Sequence, residues 1–188
     1  LETALIDILE GVNKPVLVVL GGLPATGKST IAAAMRSRRP SIVYLRIDTI
    51  EQALRDSGEM GSDGVQGAGY EVGYALTRDL LVPGAVVVVE CVNPLGFTRQ
   101  AWNNAASDRD ATIINIELFC TDTAEHRRRV ENRTVSVPRL KLPDWQAVQQ
   151  REYERWDGAD LRIDTATASV SHASRIILDA IAATQSAR

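Results

Sequence analysis

The sequence predicts an α/β fold, with a parallel sheet covered on both sides by helices, and three observations predict it. Five apolar runs, Val16–Leu20, Ile42–Ile47, Val86–Val89, Thr112–Phe119 and the weaker Leu161–Ile163, are separated by stretches of helical spacing. Val86–Val89 does not alternate with polar residues, which is the pattern of a strand covered on both faces. Between the first run and a helix-favouring stretch, Ile31–Met35, lies a glycine-containing loop that reads Gly22-Leu23-Pro24-Ala25-Thr26-Gly27-Lys28-Ser29. Alternating strands and helices close into a parallel sheet through right-handed crossovers. Ligands of such sheets bind beyond the carboxyl ends of the strands, so the residues ending each run are the ones to inspect.

The first element carries the strongest signal. G-x-x-x-x-G-K-S/T between a strand and a helix is a phosphate-binding loop. Glycines let the backbone curl until successive N–H groups converge on phosphate oxygens at a helix N-terminus. Gly22, Leu23, Pro24, Ala25, Thr26, Gly27, Lys28, Ser29 and Thr30 are therefore the expected nucleotide cradle. In it Lys28 reaches the terminal phosphates and the Ser29 hydroxyl ligates Mg²⁺. A glycine-rich turn without ligand would have no use for the lysine.

Asp48 follows the second run, where a carboxylate can orient and deprotonate a hydroxyl that attacks a terminal phosphate. The same residues, Asp48-Thr49-Ile50-Glu51, also have capping-box spacing, with Asp48 as helix cap. Ser57–Gly69 holds five glycines and reads as a loop, either a substrate loop or a plain connection. Tyr70, Tyr74, Thr77 and Leu81 then share one helical face, stopped by Val82-Pro83-Gly84. Glu90 ends the most hydrophobic run, where a charge is costly unless solvated, paired or near a metal. It is a candidate to hold Mg²⁺ through water, and Asn93, in the turn that follows, is a weaker candidate to face the site.

Asp122–Arg133 reads as a helix with four arginines, Arg127, Arg128, Arg129 and Arg133. Most such charge runs are solvated, but Arg129 and Arg133 lie one turn apart just before the proline-containing loop Thr134–Pro143. Guanidinium groups there can stack on adenine or neutralise charge in phosphoryl transfer. Asp144–Trp156 reads as a further helix capped by Asp144, and Ser171–Thr184 as the last. His126 and His172 lack metal-ligand spacing and read as surface residues, while the tryptophans read as core.

The whole chain sets bounds. Its 188 residues fit one domain, and 45% apolar with 24% charged residues is ordinary for a globular protein. A net charge of −3 argues against binding nucleic acid through bulk electrostatics. No apolar stretch approaches the roughly 20 residues needed to span a bilayer. The acidic, amphipathic Leu1–Glu10 is unlike a secretory signal, and numbering from Leu rather than Met leaves room for residues before it. Cys91 and Cys120 form neither a disulfide framework nor a metal cluster and are expected to be buried and reduced. The expected compartment is cytoplasmic.

In the order of these motifs the chain resembles P-loop kinases of the polynucleotide-kinase, zeta-toxin and chloramphenicol-phosphotransferase type, often described only as AAA-family ATPases. The resemblance runs from about Pro15 to Thr165. It rests on Gly22–Thr30, Arg46-Ile47-Asp48, Leu81–Glu90, Arg129-Val130-Glu131-Asn132-Arg133 and Leu161–Thr165. It implies a P-loop NTPase three-layer αβα sandwich around a five-stranded parallel sheet, with ATP and Mg²⁺ as cofactors and phosphoryl transfer to a hydroxyl. It also implies Asp48 as base, Arg129 and Arg133 in a lid around 127–143, and Asp164–Ala166 framing the adenine. Polynucleotide kinases carry an arginine three residues after the catalytic aspartate, where this chain has Glu51. An acidic side chain there would repel a nucleic-acid backbone.

The expected function is thus an ATP-dependent kinase acting on a small-molecule hydroxyl, with no membrane partner. A polynucleotide 5′-hydroxyl kinase is the alternative within enzymes, and a regulatory nucleotide-binding ATPase without an acceptor is the alternative outside transferases. The acceptor and the oligomeric state are not encoded in any motif.

Overall fold

The structure is a computed structural model that describes residues 13–59, 64–134 and 136–186. Among the described residues the strands are β1 (Val16–Gly21), β2 (Val43–Arg46), β3 (Val86–Glu90), β4 (Thr112–Phe119) and β5 (Leu161–Asp164). The helices are α1 (Lys28–Arg38), α2 (Ile47–Ser57), α3 (Ala68–Leu80), α4 (Gly96–Ser107), α5 (Thr123–Asn132), α6 (Trp145–Gln149) and α7 (Val170–Ser186). The five strands form one sheet in the order β2-β3-β1-β4-β5. Every pairing is parallel, as the alternating pattern predicts. The amphipathic Leu1–Glu10 lies outside the described residues.

Side chains alternate across a strand, and β1 divides the core accordingly. Val16, Val18 and Leu20 face Ile31 and Met35 of α1 and Ile177 and Ile181 of α7. Leu17 and Val19 face the other way, onto Ile47 of α2, Tyr74 of α3 and Trp102 of α4. All six residues of β1 and all five of β3 are buried, which is why neither strand alternates in sequence. Edge strand β2 is only half-buried along its length.

Three elements differ from the sequence reading. Helix α2 starts at Ile47, with Arg46 at the cap, so Asp48 stands inside the first turn rather than capping it. The segment expected as a helix over Asp144–Trp156 is helical only over Trp145–Gln149, although Asp144 does cap it, accepting from the Ala147 N–H. Beyond Gln150 the backbone is recruited elsewhere. The Glu154 N–H donates to the Pro94 carbonyl, and the carbonyls of Glu154 and Arg155 accept from the Arg99 guanidinium. Helix α4 carries no evident apolar stripe, because buried Thr98 and Arg99 share its inner face with Trp102, Ala105 and Ala106 while Phe97 is exposed.

Arg99 explains much of this corner. Buried without a carboxylate, it donates to the carbonyls of Asn93, Pro94, Glu154 and Arg155 and stacks over Trp156. Four carbonyl acceptors meet the hydrogen-bonding need of a buried guanidinium. Trp156 in turn lies against Gly21, where a Cβ would come within 2.4 Å of the indole. The end of β1 is thereby braced from below.

Candidate active site

The loop after β1 is shaped by backbone that ordinary residues resist. Gly22 has φ +142°, and a Cβ there would lie 2.1 Å from the Leu118 carbonyl oxygen. Ala25 and Gly27 are also at positive φ, 64° and 94°. Three such residues curl the chain into a cup that opens onto the N-terminus of α1. The Lys28 ammonium donates to the carbonyls of Gly22 at 2.7 Å and Leu23 at 2.8 Å. Burial lowers its pKa to about 8, opposed by the negative charges of Glu90 and Asp48. The loop is held from outside by His126, whose Nε2 lies 2.8 Å from the Pro24 carbonyl and whose ring meets Trp145 edge-on. His126 is therefore not the surface residue its spacing suggested. Its burial follows from helix phase on α5, which the arginine-rich sequence hides.

Glu90 stands beside this cup because β1, β2 and β3 end in register. Leu20 pairs with Glu90 across one ladder and Arg46 with Glu90 across the other. Only 4% of Glu90 is exposed. One carboxylate oxygen accepts from Ser29 Oγ at 2.5 Å and the other from the Tyr44 hydroxyl. The reading of Glu90 as a solvated strand end is excluded by these contacts. Its carboxylate, taken with the Ser29 hydroxyl, is a hard-oxygen donor pair beside the phosphate cup, and it fits Mg²⁺, which takes few protein ligands and completes its shell with phosphates and water. Among the described residues no cluster of three or more His, Cys, Asp or Glu could hold a metal by protein ligands alone.

Asp48 projects from the first turn of α2, where the helix dipole favours a carboxylate. It caps nothing, its side chain is 38% exposed, and its contact is with Arg46 Nη2 at 3.4 Å. Arg46 also donates to Ser136 Oγ at 2.7 Å, joining the end of β2 to the loop after α5. Glu51, one turn on from Asp48, pairs with Arg55, and a Cβ at Gly69 of α3 would meet its side chain at 2.3 Å. Burial raises the pKa of Glu51.

The two arginines singled out on α5 have different environments. Arg129 is committed, donating to Glu125 and to both the hydroxyl and the carbonyl of Thr165. It fixes α5 to the segment after β5, where the Asp164 carboxylate accepts from the N–H groups of Thr121 and Ala166. Thr165 also stands 3.8 Å from a Cβ built on Gly27, so this segment flanks the phosphate cup. Arg133, by contrast, has a buried Nη1 without an acceptor among the described residues. Burial lowers its pKa, while Asp48 opposes that and Arg46 reinforces it.

The groups that could meet a nucleotide or its acceptor open on one cleft of about 1720 Å³. Its walls include Lys28, Ser29, Asp48, Glu90, Arg129 and Arg133, together with Thr165–Val170. Thr134, Ser136 and the run 139–143 line it, whereas the described residues of Ser57–Gly69 do not. Asn93 does not line it either. Its left-handed backbone (φ 52°) turns the side chain inward, where it accepts from Thr98. Trp102 and Trp156 are core as expected, Trp145 is half-buried, and of the two thiols only Cys91 is fully buried. Sequence reasoning gave no role to Tyr44, Arg46, Arg99, His126 or Ser136. Of these only Arg46 stood in a motif, Arg46-Ile47-Asp48, where it was given no task.

This fold and this loop define a P-loop α/β protein. The AAA_33 family model, described as an AAA domain, matches residues 17–154, and the chain belongs to that family. Among solved structures it is similar to Kti12 from Chaetomium thermophilum in complex with ADP-AlF3, at 17% identity and TM-score 0.69, over 90% of this chain and 99% of that one. It is also similar to the APS kinase CysC of Mycobacterium tuberculosis in complex with AMPPNP and APS, at 18% identity and TM-score 0.66, over 90% and 99%. A gluconokinase from Sinorhizobium meliloti 1021 aligns at 16% identity and TM-score 0.60, over 93% and 99%. These likenesses show the P-loop kinase fold. No curated protein matches the sequence. Among the described residues no helix is long and apolar enough to cross a membrane.

Proposed function

We propose that the protein is an ATP-dependent phosphotransferase that moves the terminal phosphoryl group of ATP to a hydroxyl of a small molecule. The observation that carries this reading is the convergence of Lys28, Ser29, Asp48 and Glu90 on one cleft at the carboxyl ends of β1, β2 and β3. A nucleotide-holding site alone has no need of a half-exposed carboxylate such as Asp48, whose one contact among the described residues is a long one to Arg46. Kinases among the similar folds support the same class.

ATP lies along Gly22–Thr30 with its base toward Asp164–Ala166. Ser29 and Glu90 would hold Mg²⁺, whose charge would offset that of the phosphates. Asp48 orients the acceptor hydroxyl and takes its proton as the oxygen bonds to the γ-phosphorus. The bond to the β,γ-bridging oxygen breaks and ADP leaves. Lys28 and Arg133 neutralise charge on the phosphoryl group in flight, and Arg129 anchors the wall that carries Arg133. The loop around 127–143 acts as the lid of a single domain, shielding ATP from water.

The test is phosphate transfer measured across alcohols, sugars, nucleosides, antibiotics and oligonucleotides. Asp48→Asn is expected to lower transfer by about 10² to 10⁴ while leaving ATP affinity intact. Lys28→Ala is expected to lose both. Full transfer by Asp48→Asn removes the base assignment. Transfer confined to oligonucleotide 5′-ends, or ATP hydrolysis with no acceptor at all, replaces the reading with one of its two alternatives.

A further inference from the structure

Arg46 has no task in the reaction just described, yet it is the best-placed cation in the cleft. Its side chain is 12% exposed, and its Nε is buried without an acceptor among the described residues. Its Nη1 donates to Ser136 Oγ, and Glu90 offers the Nε an ion pair but no hydrogen bond. The carboxylate stands 3.7 Å away with its two oxygens already accepting from Ser29 and Tyr44. Asp48, at 3.4 Å, lies at the long limit of a hydrogen bond. Arg133 repeats the condition with its own buried, unpaired Nη1. Both arginines line the same cleft, where Asp48 favours the charge of Arg133 and Arg46 opposes it. Like charges in one cleft, each with a buried N–H left over, form a costly arrangement that an oxyanion would relieve.

The charge balance of the cleft agrees. Eight cationic side chains and three carboxylates line it, in a chain whose net charge is −3. ATP with its magnesium brings only about two negative charges. Several cations are already occupied. Arg129 is paired with Glu125, Arg55 with Glu51, and Arg139 with Asp56. Arg46 is shared between two carboxylates, Asp48 at 3.4 Å and Glu90 at 3.7 Å, while Arg133 has no ion pair among the described residues, so the cleft keeps a cationic excess beside them.

We infer that Arg46, beside the Arg133 that serves the phosphoryl group, is an oxyanion seat for the acceptor, so that the substrate is a small alcohol bearing a carboxylate, sulfate or phosphate group. The inference deepens the phosphotransfer reading and rests on it for the word acceptor. Planar guanidinium forks suit such groups, because two N–H donors match two oxygens. Arg46 touches both Asp48 and Ser136, so an anion seated there hangs its hydroxyl beside the base and draws the loop after α5 onto the ligand.

The test separates this seat from the nucleotide site. Protein saturated with AMPPNP and Mg²⁺, whose terminal phosphate position is then filled, is titrated with sodium sulfate at constant ionic strength by calorimetry. Sulfate is expected to bind, and Arg46→Gln is expected to weaken it about tenfold or more with AMPPNP affinity changed less than about twofold. Arg46→Lys keeps the charge without the fork and is expected to lose part of the affinity; it also serves if Arg46→Gln does not fold. In transfer assays ribose 5-phosphate and glycerate are expected to exceed ribose and glycerol, with Arg46→Gln erasing the preference through KM. Absence of sulfate binding, or sulfate binding undiminished in both variants, overturns the seat. An equal loss of AMPPNP and sulfate affinity reassigns Arg46 to the nucleotide. Sulfate binding as expected with no alcohol phosphorylated leaves the seat standing and removes the phosphotransfer reading instead.

Discussion

One wall of the cleft comes from a single loop, lined by Pro24, Ala25 and Gly27–Thr30, while the rest gathers Arg46 from β2, Asp48 and Gln52 from α2, and Arg133 and Ser136 from beyond α5. The first wall works through backbone conformation: its shape depends on positive φ at Gly22, Ala25 and Gly27. The second works through side chains held by one another, as Arg46 is by Asp48 and Ser136. A wall of backbone has one solution and little tolerance. A wall of side chains can change its specificity one residue at a time, which suits the part of an enzyme that must choose a substrate.

The difference can be broken first at Gly22. An added methyl meets the Leu118 carbonyl at 2.1 Å, and the φ of +142° is one that L-residues rarely adopt. Backbone cannot retreat as a flexible side chain can. Gly22→Ala is expected to destabilise the fold by about 3 kcal/mol or more and to abolish nucleotide affinity. Urea unfolding and AMPPNP titration read the two effects. A stable variant that still binds would mean that the loop wall is as adaptable as its opposite.

The second measurement uses pH. Lys28 is buried with a pKa of about 8, against 10.5 in an unfolded chain. Below pH 8 both states carry the proton and the full cost of burying the charge is present. Between pH 8 and 10.5 the unfolded chain holds more protons at this site, so the contribution of Lys28 to stability rises with pH across that window, by about 3 kcal/mol at most. Chemical denaturation of wild type and Lys28→Met from pH 7 to 10.5 checks this through the difference between the curves. Parallel curves would show that burial costs Lys28 nothing.

The same contrast decides what was legible in the sequence. Five strands and the phosphate loop could be read because each is local: an apolar run, or a spacing of glycines and a lysine. Asp48 and Glu90 could be found because a parallel sheet puts strand ends in one place. Arg46 belongs to that same register and was available to the same rule, but a strand-end arginine signals nothing until its neighbours are known. His126 and Arg99 were hidden for a different reason. Each is a charged or polar residue amid polar sequence, buried because distant carbonyls, Pro24 for one and Glu154 for the other, are brought to it by tertiary folding. The short α6 fails on the same account, since the helix reading over Asp144–Trp156 could not see Arg99 claiming the carbonyls it would have used.

The smallest expected effect is also the sharpest contrast with Gly22. Gly67 sits in the glycine-rich stretch Ser57–Gly69 with φ −85° and ψ −4°, a conformation open to any residue, and a Cβ there meets nothing within 4 Å. Its carbonyl, which accepts from the Tyr70 N–H at the start of α3, is untouched by substitution. Gly67→Ala therefore restricts the unfolded chain without straining the folded one, and stability is expected to rise by about 0.4 to 1 kcal/mol. The same chemical change thus carries opposite signs at two glycines of one protein. Turnover then tells what the stretch does. A substrate loop that must flex over the acceptor loses kcat while it gains stability, whereas a plain connection gains stability at constant kcat. None of its described residues lines the cleft, so constant kcat is the expected result and places closure with the loop after α5, where Arg46 already reaches Ser136.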